Sequence, residues 1–178
     1  MRRSWTALIL GLIIVGLFSA PVMALPELET VDYVDVEKYL GKWYSIAEIP
    51  RWFSPSCYGV TAEYSLREDG GVDVVNSCRR GGLDGEERSI RARAYVVDEE
   101  TNAKLEVRFF WGLVRGDYWI IELGDDYEYA VVGEPSRRSL WILSREPYLE
   151  EELLEDILER VAAQGYDPDD LFYPWEEK

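Results

Sequence analysis

The stretch VTAEYSLREDGGVDVVNSC, residues 60–78, decides the fold class. Val60, Ala62, Tyr64 and Leu66 alternate with Thr61, Glu63 and Ser65, and a period of two places the sets on opposite faces of a strand. Asp69-Gly70-Gly71 is a hairpin signal, and Val72–Cys78 reads as the strand that returns. The same rhythm continues outward. Leu105, Val107 and Phe109 alternate with Glu106 and Arg108, and turn signals recur along the chain. The spacing predicts strands at Trp43–Ile49, Val60–Leu66, Val72–Cys78, Ser89–Val97, Ala103–Phe109, Asp117–Leu123, Tyr127–Gly133 and Ser139–Ser144.

One segment changes period. Leu153, Leu154, Ile157, Leu158 and Val161 form an apolar stripe at helical spacing, with acidic residues 150–152 before it and Gly165 after. The stripe is expected to pack on the outside of the sheet, the alternative being a partner-binding face. Residues 170–175 are expected to add a short last strand. Together these predict an all-β fold with one helix: an eight-stranded antiparallel up-and-down β-barrel with a C-terminal α-helix packed outside.

Arg2 and Arg3, the apolar run Ala7–Phe18 and the small residues ending at Ala24 read as an export signal, residues 1–24. That leaves residues 25–178 as a single domain. Net charge is −16, or −18 without the leader, which argues against nucleic acid as a partner. The chain contains no histidine, so it has no Ser-His or Cys-His nucleophile pair and no histidine-ligated zinc. No metal or other cofactor is expected. In an exported chain Cys57 and Cys78 read as a disulfide, whose loop would stabilise the fold by about 3 kcal/mol. A reactive thiol is the rival reading.

Four segments, in order and spacing, resemble the lipocalin family, closest to its apolipoprotein D and bacterial outer-membrane branch. Gly41-Lys42-Trp43-Tyr44 matches the Gly-x-Trp signature, and Tyr64-Ser65-Leu66 closes the second strand. Residues 103–109 resemble the fifth strand, and Leu140–Arg145 the last strand with its terminal arginine. Two departures stand out. The middle motif is only loosely present at Gly124–Tyr127, and the first cysteine is Cys57, so the resemblance does not extend to an N-terminal lipid anchor. The expectation is a soluble exported protein, periplasmic or secreted.

The resemblance implies a lipocalin calyx with structural roles for Gly41, Trp43 and Arg145, the arginine lying across the indole at the closed end. Matching strands places Phe109, Tyr118, Trp141 and Leu143 inside as ligand-binding residues, joined by Tyr64 and Asn76, with Arg115 near the mouth as a headgroup contact. The open-end loops carry exposed-looking apolar residues: Trp52 and Phe53 in one, and Phe110, Trp111, Leu113 and Val114 in another, which fit membrane contact or inward capping. Those loops hold seven arginines against four carboxylates, whereas the closed-end turns hold one arginine against seven. The function implied is binding, transport or scavenging of a small hydrophobic ligand, a fatty acid or lysophospholipid, without catalysis. The alternatives are a protein-interaction module with a filled barrel, or an enzyme. An enzyme would call for an Asp or Glu inside the calyx with a raised pKa. Glu122 and Asp126 lie near the lower wall but out of phase with the inward set.

Overall fold

A computed structural model describes residues 26–50 and 57–176. The expected leader and the first open-end loop, with Arg51, Trp52 and Phe53, lie outside the described residues.

Eight strands form the sheet: β1 (Gly41–Glu48), β2 (Cys57–Leu66), β3 (Val72–Arg80), β4 (Glu86–Val96), β5 (Lys104–Phe109), β6 (Val114–Leu123), β7 (Tyr129–Gly133) and β8 (Leu140–Ser144). Each pairs antiparallel with the next, and β8 pairs back onto β1, closing the barrel. Before β1, a four-residue helix α1 (Val36–Tyr39) sits at the closed end. The Asp35 carboxylate caps it, accepting from the Glu37 and Lys38 amides at 3.0 and 3.3 Å. After β8, helix α2 (Glu151–Ala163) carries the predicted apolar stripe.

The barrel wall separates two apolar layers. Trp43, Tyr64, Val74, Leu105, Ile120, Val132 and Leu143 belong to the cluster that fills the lower barrel. On the outer face, Ile157 and Val161 of α2 are fully buried against Ile46, Ala47, Ile121, Val131, Leu140 and Ile142. This is why β7 and β8 read as nearly continuous apolar runs: both of their faces are covered.

Several boundaries differ from expectation. Residues 79–88 are not one loop: β3 runs to Arg80 and β4 begins at Glu86, so only residues 81–85 turn. Cross-strand pairing of Arg79 with Glu87, with 3.4 Å between their charged groups, lets a charged segment remain strand. The hairpin overshoots its neighbour, because pairing of β4 with β5 begins only at Ala92↔Phe109. Likewise β6 starts at Val114, three residues before the expected Asp117. The C-terminal tail adds one bridge, Glu48↔Phe172, and a Gly59-to-Pro174 backbone hydrogen bond of 2.8 Å, rather than a full strand. Cys57 and Cys78 form a disulfide with Cα atoms 5.4 Å apart, which removes the reactive-thiol reading.

Candidate functional site

The closed end is assembled around one guanidinium. Gly41 has φ +92°, a conformation that favours glycine, and it lies in contact range of the Arg145 guanidinium. Arg145 stacks on Trp43 with 3.7 Å from its guanidinium carbon to the ring centroid. It donates to the carbonyls of Lys38, Lys42 and Tyr127 at 2.7, 3.0 and 3.2 Å. Trp43, fully buried, donates its indole N–H to the Tyr39 carbonyl at 2.8 Å. The guanidinium thus lies across the indole face at this end of the barrel, and both side chains hydrogen-bond to backbone carbonyls.

Above this floor three tyrosines meet. The Tyr118 hydroxyl lies 2.8 Å from that of Tyr39 and 2.9 Å from that of Tyr64. Burial raises all three pKa values, Tyr64 to about 12, so the hydroxyls stay protonated. Three protons serve two hydrogen bonds, leaving one O–H to spare.

Strand register fixes which residues face inward higher up. Tyr64 pairs with Val74, and Ala62 with Asn76; Val74 pairs with Ala92, and Asn76 with Ile90. Phe109 joins Ala92 on the same face, Leu105 joins Tyr118, and Trp141 joins Val132. Tyr64, Asn76, Phe109, Tyr118, Trp141 and Leu143 thus all lie on the inner face. Tyr64 and Leu143 are buried, Tyr118, Asn76, Phe109 and Trp141 are only partly so, and Ile90, on the part of β4 that extends past β5, remains 37% exposed. Alanine at 62, 92 and 94 keeps that wall thin.

Arg115 is a correction. Because β6 begins at Val114, alternation puts Val114 and Gly116 inward and turns Arg115 to the outer wall, beside Arg108. There its guanidinium lies 3.5 Å from the Glu106 carboxylate. Glu122 also faces outward, paired with Arg160 of α2 at 3.0 Å. The β5–β6 tip does not fold inward: Phe110, Trp111, Leu113 and Val114 are 54%, 97%, 84% and 52% exposed. Phe110 and Trp111 both adopt positive φ to make this turn.

One inward-facing side chain escapes the sequence pattern. Straight alternation from Trp43 puts Ser45 and Ala47 inside and Glu48 outside. A β-bulge between Ser45 and Ala47 shifts the phase, so that Ser45 faces Leu143 and Glu48 faces Trp141 on the inner wall. Glu48 is 6% exposed, and its carboxylate accepts from the Ser45 hydroxyl at 2.9 Å. Burial pushes its pKa up to about 6, against the opposing effect of that hydrogen bond. No charged partner pairs with it among the described residues. The phase slip itself was the available signal: Ile46 and Ala47 are consecutive apolar residues inside an alternating strand.

A family model for the lipocalin-like domain matches residues 34–175. The chain is a lipocalin. It is 38% identical over 149 residues to temperature-induced lipocalin-1 of Arabidopsis thaliana, covering 79% of this chain and 78% of the relative. It is 38% identical over 137 residues to outer membrane lipoprotein Blc of Escherichia coli (strain K12), covering 77% and 76%. With apolipoprotein D of Bos taurus it shares 40% over 145 residues, covering 75% and 74%. Among solved structures, insecticyanin of the tobacco hornworm Manduca sexta superposes with a TM-score of 0.68 at 19% identity, covering 87% of both chains. That likeness supports the lipocalin fold. Members of this family bind small hydrophobic ligands. In this lipocalin no helix among the described residues is long and apolar enough to cross a membrane.

Proposed function

We propose that this lipocalin is an exported carrier or scavenger of single-chain lipids, fatty acids or lysophospholipids, which it holds in the calyx without transforming them. The reading is carried by the gradient of burial along the inner wall. Tyr64, Val74, Leu105, Val132 and Leu143 are buried along this wall, whereas Asn76, Phe109 and Trp141 keep accessible surface although they point inward. A filled barrel would have buried them, so the interaction-module alternative is less well supported. The mechanism is desolvation of the chain against an apolar and aromatic wall, at about 0.8 kcal/mol per buried CH₂. The tyrosine hydroxyls mark the depth at which the apolar slot ends. Catalysis would require a second reacting group beside Glu48, and among the described residues its one hydrogen-bonding side chain is Ser45.

The exposed tip at Phe110–Val114 gives the open end an apolar contact for a membrane surface from which such a lipid could be collected. Native mass spectrometry of protein refolded without lipid, then offered fatty acids and lysophospholipids, tests the carrier reading. One-to-one binding weakened by Trp141→Ala or Phe109→Ala supports it. A folded protein that takes up none of the panel overturns it.

A further inference from the structure

The upper calyx is not electrically neutral. Glu48 brings a carboxylate to the inner wall of β1, two residues short of the first open-end loop, beside Trp141. An ionised carboxylate has about four acceptor sites on its two oxygens. The Ser45 hydroxyl occupies one, and no lysine or arginine pairs with the group among the described residues. Ser45 is 2% exposed and lies on the side of Glu48 nearer the closed end, and no other described residue takes up the remaining acceptor capacity of the carboxylate. The bulge that turns Glu48 inward interrupts the β1–β8 ladder at Ser45/Ala47. At neutral pH the group is predominantly ionised even with its pKa raised to about 6.

An amphiphile lying in the calyx with its chain toward the tyrosine floor carries its head past this carboxylate. A free fatty acid brings a second negative charge to a site already short of solvent, where like charges repel strongly. An ammonium head brings a countercharge that no described residue supplies, and up to three donors. We infer that Glu48 is a headgroup-selecting residue, which makes the calyx prefer single-chain lipids bearing an ammonium over those whose head is only anionic. The inference rests on the carrier reading and narrows it: of the two lipid classes, amine-bearing lysophospholipids fit and free fatty acids do not.

The test compares heads at constant chain length on the full oxidised protein. Tetradecylamine is set against myristic acid, and lysophosphatidylethanolamine against lysophosphatidylglycerol, both with a 14-carbon chain, with dissociation constants read by quenching of tryptophan fluorescence at neutral pH. The wild type should bind the ammonium member of each pair about tenfold more tightly, equivalent to about 1.4 kcal/mol. Glu48→Gln, which keeps the shape and the hydrogen bond to Ser45, should bring each pair to near parity. Chain binding with no head preference in the wild type overturns the inference and leaves the carrier reading standing. So does a preference that survives in Glu48→Gln, since Glu48 is then not its source. Failure of every chain to bind overturns both. Should Glu48→Gln not fold, the wild-type ratios alone decide: parity, or a preference for the carboxylate, refutes selection by an anionic wall.

Discussion

Replacing Arg145 by alanine should loosen the closed end of the barrel by a predictable amount. The guanidinium donates to three carbonyls, from α1, β1 and the turn before β7, at 2.7, 3.0 and 3.2 Å, and stacks on Trp43 at 3.7 Å. Hydrogen bonds to a fully buried charge are worth about 1.5–3 kcal/mol each, but this side chain is partly exposed and water can replace some of them, so about 0.5–1 kcal/mol each is appropriate. The cation–π contact adds about 1 kcal/mol. The total is about 3 kcal/mol, which for a domain of this size lowers Tm by about 6–12 °C. Thermal unfolding of the oxidised protein followed by near-ultraviolet circular dichroism would measure it. Arg145→Lys keeps the charge but loses the planar fork, and should recover only about a third of the loss. A double-mutant cycle with Trp43→Leu should return a coupling of about 1 kcal/mol. A loss below about 2 °C for Arg145→Ala, or a coupling of zero, would refute the view that one guanidinium joins three chain segments here.

Glu48 binds its proton more tightly in the folded protein, at a pKa of about 6 against 4.5 for the unperturbed group. Folded stability therefore falls as pH rises from about 4.5 to about 6, and the cost of about 2 kcal/mol persists above that window. Glu48→Gln should raise Tm at neutral pH and leave it unchanged near pH 4, read by the same melts; equal gains at both would show the effect is not titration. Tyr118→Phe removes the hydroxyl shared by Tyr39 and Tyr64 and should cost about 2–4 kcal/mol, more than Tyr64→Phe, as measured by urea unfolding. Gly133→Ala would drive a Cβ into the Tyr166 hydroxyl, which also accepts from the Glu134 amide, and should cost about 2–3 kcal/mol in the same assay. Trp111→Ser, at a 97% exposed site, should change stability by less than about 0.5 kcal/mol while reducing co-sedimentation with lipid vesicles.

The barrel was legible wherever one face of a strand is wet. Val60–Leu66 and Leu105–Phe109 alternate cleanly, and the inward set of Tyr64, Asn76, Phe109, Tyr118, Trp141 and Leu143 follows from that phase together with the lipocalin resemblance. Legibility failed where phase or composition is locally broken. The β1 bulge inverts Glu48, so simple alternation hides this inward carboxylate and draws attention to Glu122 and Asp126 instead. Arg115 reads as a mouth residue when β6 is taken from Asp117, whereas the strand's start at Val114 puts it on the outer face. The charged ends of β3 and β4 resemble a loop until their cross-strand ion pairing is seen. Helix α1, four residues long, is too short for any period to register.

The overshoot of the β3–β4 hairpin has a consequence for solubility. A closed barrel has no edge strand, yet from Glu86 to Arg91 the flank of β4 extends past the last residue of β5 and leaves a short unpaired backbone ledge. Such a ledge can recruit a strand from another molecule and begin an aggregate. Here it carries Glu86, Glu87, Arg88 and Arg91, so an incoming strand would have to strip water from four charges within six residues. The rim can thus reach beyond the barrel wall without becoming a template for self-association.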